Sequence, residues 1–190
     1  MDRMLAEVRA AFAGWPEAAR FLADWPKVSE LRACEASALP VCRWLAAMRG
    51  GPGTQAVLAE VQRLAGRLAW RQTYGAADFG DAFLQGYGWS EFIGLRGPVA
   101  SERIACGVLL LGPGVTYPPH AHQAEELYLP ISGGAEWQRG DAEFACVPVG
   151  QAIYHHSWMA HAMRTGAEPL AALYLWRGGD LAAKSVILPG

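Results

Sequence analysis

Apolar residues recur along this chain with two different periods, and the change comes near residue 85. Before it, they return at helical intervals: Ala18, Ala19, Phe21 and Leu22 after Trp15-Pro16; Val28, Leu31 and Cys34; Val41, Trp44, Leu45 and Met48 after Pro40; Val57, Leu58, Val61, Leu64 and Leu68 after Thr54. Such spacing lines one face of a helix with apolar side chains. Proline suits a first helical turn, Thr54 reads as an N-cap, and Gly50-Gly51-Pro52-Gly53 is a break. After residue 85 the pattern predicts short strands at 91–95, 103–111, 125–131, 135–138, 143–147, 161–165 and 170–176. Gly112-Pro113-Gly114, Ser132-Gly133-Gly134 and Arg139-Gly140-Asp141 separate them with turn chemistry. Closely spaced short strands predict a sandwich or barrel rather than βαβ units. The expected fold is mainly β: residues 1–85 form a helical part packed on a barrel made by residues 86–190, the two being one folding unit.

Composition narrows the class. With 190 residues, 52% hydrophobic and 18% charged, the chain can bury a sizeable core. Sixteen basic residues face eighteen acidic ones, and only Lys27 and Lys184 are lysines. No basic stripe exists for nucleic acid or an anionic membrane, which excludes those partners. No apolar run reaches the length of a membrane span, and the N-terminal segment, interrupted early by Asp2, Arg3 and Glu7, has none of signal-peptide length. Cys34, Cys42, Cys106 and Cys146 are widely separated, with no CxxC pair, and read as reduced thiols. A cytoplasmic protein, monomeric or homodimeric, is expected.

All five histidines fall between residues 120 and 161. His120 and His122 share one face of an extended segment, and Glu126 and Tyr128 share one face of the next strand, whereas Glu125 has the opposite parity. Aimed inward, these imidazoles, carboxylate and phenol give the N/O donor set of a catalytic divalent metal ion. Iron, manganese, zinc, cobalt and nickel are all compatible with it.

Gly114, His120, His122, Glu126 and Gly133 stand at the spacing of the first cupin motif, G-x5-H-x-H-x3-4-E-x6-G. The chain resembles that superfamily, which implies a metal-binding double-stranded β-helix. The second cupin motif fits less well: Gly140 and Pro148-Val149-Gly150 are present, but Ile153 stands where a histidine belongs. His155, His156 and His161 compete for the last ligand. His161 is preferred because His161-Ala-Met-Arg-Thr-Gly precedes a turn and a returning strand.

A narrower likeness rests on Tyr117-Pro-Pro-His120-Ala-His122-Gln-Ala-Glu-Glu126-Leu-Tyr128, Gly134-Ala-Glu-Trp137, His161-Ala-Met-Arg-Thr and Leu173-Tyr-Leu-Trp176-Arg-Gly. These segments are similar to the cupin-type dimethylsulfoniopropionate (DMSP) lyases, in particular the short Q-type branch. The resemblance implies β-elimination of DMSP to dimethyl sulfide and acrylate. It implies His122, Glu126, Tyr128 and His161 as metal ligands, Tyr128 also as the base, and Tyr117 and His120 beside the substrate. The chemistry asks for such groups. The sulfonium is a good leaving group, so the difficulty lies in removing a proton alpha to a carboxylate, which a divalent cation eases. A tyrosine with an ordinary pKa of about 10 needs that cation to ionise at neutral pH. Aromatic faces such as Tyr117, Trp137, Tyr174 and Trp176 suit the sulfonium. Rival readings are a cupin oxygenase with a His/Glu iron site, a sugar isomerase or epimerase, and a non-enzymatic cupin that binds a small ligand.

Overall fold

The computed structural model describes residues 1–27 and 30–189. In chain order the elements are α1 (Asp2–Ala13), α2 (Ala19–Ala23), α3 (Gln55–Leu64), β1 (Trp70–Arg71), α4 (Ala76–Gln85), β2 (Tyr87–Gly94), β3 (Val99–Ala100), β4 (Ile104–Leu111), β5 (Thr116–Ala121), β6 (Glu125–Ser132), β7 (Ala135–Arg139), β8 (Ala145–Val147), β9 (Ile153–His155), β10 (His161–Thr165), β11 (Leu170–Arg177) and β12 (Val186–Ile187). Short 3₁₀ turns at Pro16–Ala18, Pro40–Ala47 and Ala65–Arg67 link the helices.

The strands form two sheets. The larger runs β1-β2-β4-β11-β6-β9 with β3 beside β2, and the smaller runs β12-β5-β10-β7-β8. From β4 onward the chain passes back and forth between them: β4, β6, β9 and β11 belong to one sheet, β5, β7–β8, β10 and β12 to the other. Period-two patterning decides which face each residue takes. On β6, Leu127, Leu129 and Ile131 point outward into one apolar cluster, while Tyr128 joins a second cluster inside. On β4, Cys106, Val108 and Leu110 go outward, and Ala105, Leu109 and Leu111 inward. β4 is buried on both faces, which is why its sequence shows an unbroken apolar run instead of alternation.

The outer face of the large sheet is covered by the helices. Met4, Leu5, Val8 and Phe12 of α1 and Val57, Leu58, Val61 and Leu64 of α3 belong to the same cluster as Leu127, Leu129, Leu173 and Leu175. Thr54 stands at the N-cap position of α3, but its hydroxyl donates to the Ile131 carbonyl at 3.0 Å rather than capping the helix, so it ties the helix to β6. α3 ends at Leu64, and Leu68 is buried beyond it, after a 3₁₀ turn.

Three expectations change. The segment around Leu31 and Cys34 is not helical, and Val28 lies outside the described residues. The Arg32 amide donates to Pro98 O at 2.8 Å, and its guanidinium reaches Gly94 O and Gly97 O at 2.6 and 2.5 Å. Long-range bonds to the β2–β3 turn replace the i→i−4 ladder a helix would need, and Leu31 is left 50% exposed. The stretch after Pro40 is 3₁₀ rather than α. The strand expected from 143 begins at Ala145. Two facing sheets, antiparallel except for the short β2–β3 pair and threaded alternately by one chain, form a double-stranded β-helix, the fold of the cupins.

Candidate metal centre

Glu126 organises the interior. It faces inward from β6, opposite Trp176 of β11 and His155 of β9, and is fully buried. A buried carboxylate needs partners. Its Oε1 accepts a hydrogen bond from Trp176 Nε1 at 2.6 Å, and its Oε2 lies 3.0 Å from His122 Nε2 and 3.1 Å from His161 Nε2.

The histidines arrive from the other sheet. His120 on β5 and His161 on β10 are directly paired across strands, with ring centroids 4.1 Å apart, and His122 follows the end of β5. Each ring is oriented by its Nδ1, which donates to a backbone carbonyl two residues away: His120 to Pro118 (2.9 Å), His122 to Ala124 (2.8 Å) and His161 to Met159 (2.9 Å). That pattern assigns the proton to Nδ1 and leaves the Nε2 lone pairs of His120 and His161 facing the interior, while His122 Nε2 also meets the Glu126 carboxylate in a hydrogen bond at 3.0 Å.

The result is a concentration of acceptors. Glu126 Oε2 and His161 Nε2 confront one another without a hydrogen bond, although both are buried. His155, stacked on His161 with centroids 4.2 Å apart, has neither ring nitrogen partnered. Burial pulls its pKa down to about 2, so it is neutral. Burial, then the neighbouring His161, holds His120 well below the ordinary imidazole range. For His122 burial opposes the charge, but Glu126 outweighs it and raises the pKa. Burial would likewise lift Glu126, yet His122 and His161 keep it well below the usual carboxylate range. Such a set fits a cation. The ligand atoms of His120, His122 and His161, and those of Glu126, His155 and His161, each lie within 4.8 Å of one another.

Tyr128, the next inward residue on β6, is buried opposite Tyr174, with its ring 6.0 Å from His155, 6.4 Å from His161 and 5.0 Å from Trp137. Burial, reinforced by the Glu126 charge, pushes its phenol well above the usual value. Without nearby positive charge it stays protonated.

Beside the cluster opens a cavity of about 550 Å³. Glu126, Tyr117, Tyr128, Tyr174 and Trp176 form its inner wall with Tyr87 and Trp89, and Arg71, Arg96 and Lys184 also reach it. Trp137 and His120 are not on its wall. Trp137 stands behind Tyr128, and His120 stacks against Tyr117 with centroids 4.1 Å apart. His156 is exposed and outside the cluster. Two neighbours extend the site beyond the residues preferred from the sequence. Tyr74, whose hydroxyl meets that of Tyr117 at 2.9 Å, gives no signal in the sequence. His155 ranked behind His161, yet it lies two residues after Ile153 and therefore on the same strand face, a parity that brings it to the cluster.

The family model for dimethylsulfoniopropionate lyase matches residues 17–172. DddL of Cereibacter sphaeroides is 34% identical over 128 residues, 66% of this chain. The dimethylsulfoniopropionate lyase DddQ of Ruegeria pomeroyi is 37% identical over 124 residues, 65% of this chain. This chain's match spans 53% of the length of the first relative and 61% of the second. A solved structure described among crystal structures of the DMSP lyases RdDddP and RnDddQII superposes with a TM-score of 0.89 at 30% identity, covering 99% of this chain and 97% of that one. With a family model that matches from just before α2 to the first residues of β11, well over half of the sequence, the chain belongs to the dimethylsulfoniopropionate lyase family.

Proposed function

We propose that this protein is a metal-dependent DMSP lyase that cleaves the substrate to dimethyl sulfide and acrylate. The observation that carries the reading is the buried Glu126 carboxylate held among imidazole Nε2 atoms at the wall of an aromatic cavity. His122, Glu126, His161 and Tyr128 would hold a divalent transition-metal ion, with His120 and His155 close around them. Such an ion, when bound, offsets the charge of the substrate carboxylate and favours the phenolate of a neighbouring tyrosine.

The remaining work falls to the chain. Tyr128 takes the alpha proton at its phenolate oxygen; the C–H electron pair forms the double bond of acrylate, and the C–S pair leaves with dimethyl sulfide. Glu126 is a poorer base, since the ion it would hold and the Trp176 indole N–H on Oε1 would engage the carboxylate and lower its basicity. Tyr117 and Trp176 close the wall around the reacting carbons, and His120 braces Tyr117 from behind. Aromatic faces at Tyr174 and Trp176 suit the sulfonium, at roughly 0.5–2 kcal/mol per good cation–ring contact. Trp137 supports Tyr128 through packing.

Among the described residues no helix is long and apolar enough to cross a membrane. The four free cysteines support a reducing, cytoplasmic location. The test is headspace detection of dimethyl sulfide from purified protein and DMSP, with and without a chelator. Release that stops with chelation and returns with added metal is expected; no release from metal-replete protein would sink the assignment.

A further inference from the structure

Among the described residues the cavity has one acidic wall residue besides Glu126, and the reaction above makes no use of it. Glu91, on β2, is 6% exposed and lines the same space. It sits opposite Gly107 of β4; Gly107 sits opposite Tyr174 of β11, and Tyr174 opposite Tyr128 of β6. One inward row thus runs Glu91, Gly107, Tyr174, Tyr128. At the usual strand spacing its ends are about 14 Å apart between Cα atoms. Gly107 keeps the middle open: a Cβ there would lie 2.6 Å from the Tyr174 hydroxyl oxygen.

Glu91 Oε1 accepts from the Arg96 and Gly97 amides at 2.5 and 2.9 Å. Neither nearby guanidinium pairs with the carboxylate. Arg32 donates to the Gly94 and Gly97 carbonyls, and Arg96 to that of Ala182. The other cationic groups at the cavity are Arg71 and Lys184, and Lys184 is paired with Asp78 at 3.0 Å. Burial lifts the Glu91 pKa, and the Arg96 amide and charge pull it back toward the ionised form. The Arg96 and Arg32 charges act on this carboxylate from a distance, but no cation touches it: one oxygen is anchored to the backbone, the other has no ionic partner, and the space beside it is walled by Trp89, Tyr174 and Trp176.

We propose that Glu91 is the specificity-determining residue for the cationic end of the substrate, accepting a methylated sulfonium or ammonium group between its free oxygen and the rings of Tyr174 and Trp89. This rests on the lyase reading, which places the substrate carboxylate at the Glu126 end of the row. The ligand class is then a short zwitterion whose onium centre lies a few bonds from its carboxylate, recognised by an anionic group at one end and the metal centre at the other. Neutral acids of the same shape fill the space without satisfying Glu91.

The test is calorimetric titration of the metal-replete protein at about pH 8, where carboxylates are ionised. Two probes differ only in charge: 3-(trimethylammonio)propanoate and its carbon isostere 4,4-dimethylpentanoate. Wild type should prefer the cationic probe by about tenfold or more, the ratio carried by about 1.4 kcal/mol. Glu91→Gln keeps an acceptor for the Arg96 and Gly97 amides but loses the charge. It should abolish the preference while leaving affinity for 4,4-dimethylpentanoate unchanged. Equal weakening of both probes would reveal a purely structural residue and overturn the proposal, as would an undiminished preference. If the variant does not fold, equal binding of the two probes by wild type overturns the proposal on its own. Because the readout is binding, an absence of dimethyl sulfide release would defeat the lyase reading without deciding this one.

Discussion

Trp176 serves the centre twice, with its indole N–H on Glu126 Oε1 at 2.6 Å and its ring 4.2 Å from that of His122. Trp176→Phe keeps an aromatic face and removes the donor. Groups that orient metal ligands are worth about 10–100-fold in affinity, so chelator competition should show a loss of that size with the circular dichroism unchanged. Tyr128 is the sharper probe of the chemistry. A general base contributes about 10²–10⁴ in rate, so Tyr128→Phe should lower kcat for dimethyl sulfide release by that factor. Metal content measured by mass spectrometry should stay near wild type, since His122, Glu126 and His161 remain. Loss of the metal along with the rate would instead make Tyr128 chiefly a ligand.

Strands and turns explain what could be read from the sequence and what could not. The alternation on β6 is plain because leucines at 127 and 129 separate Tyr128 from its neighbours, so the inward face of Glu126 and Tyr128 follows directly from period two. β5 was harder, because Pro118-Pro119 interrupts the segment and mimics a turn, although β10 and β12 pair with it on either side. β9 is only three residues long and carries too little pattern to register, which is why His155 ranked second. The apolar spacing at Leu31 and Cys34 suggested a helix, but hydrogen bonds to residues more than sixty positions away determine that segment. Tertiary contacts of that kind leave no local trace. The β6–β7 turn was legible and is sterically exacting. Gly133 has φ +79°, and a Cβ on it would fall 1.8 Å from Pro169 O, whereas Gly134 meets only Glu168 at 3.8 Å. Gly133→Ala should therefore cost at least about 2 kcal/mol in urea unfolding, within the range of strained backbone positions, while Gly134→Ala should be much milder.

At the scale of the molecule, the centre joins two sheets: Glu126 and His155 come from the larger, His120 and His161 from the smaller. An ion held between them would act as a cross-link specific to the folded state. At a free metal concentration of about 100 times Kd the linkage is worth about 2.7 kcal/mol. For a chain of this length that corresponds to about 5–10 °C in Tm. Calorimetry of chelated and reloaded protein should show that difference; identical melting curves would argue against an ion bound by both sheets. The same topology bears on biosynthesis. Glu126 and His161 are far apart along the polypeptide and meet only when β10 has docked between β5 and β7 and β11 beside β6. The nascent chain on the ribosome therefore offers no assembled trap for copper or zinc, the strongest competitors for nitrogen donors. For the metal-dependent enzyme proposed above, metal choice would be deferred until the barrel has closed, when the width of the cavity and the cell's free-ion supply would act as gatekeepers.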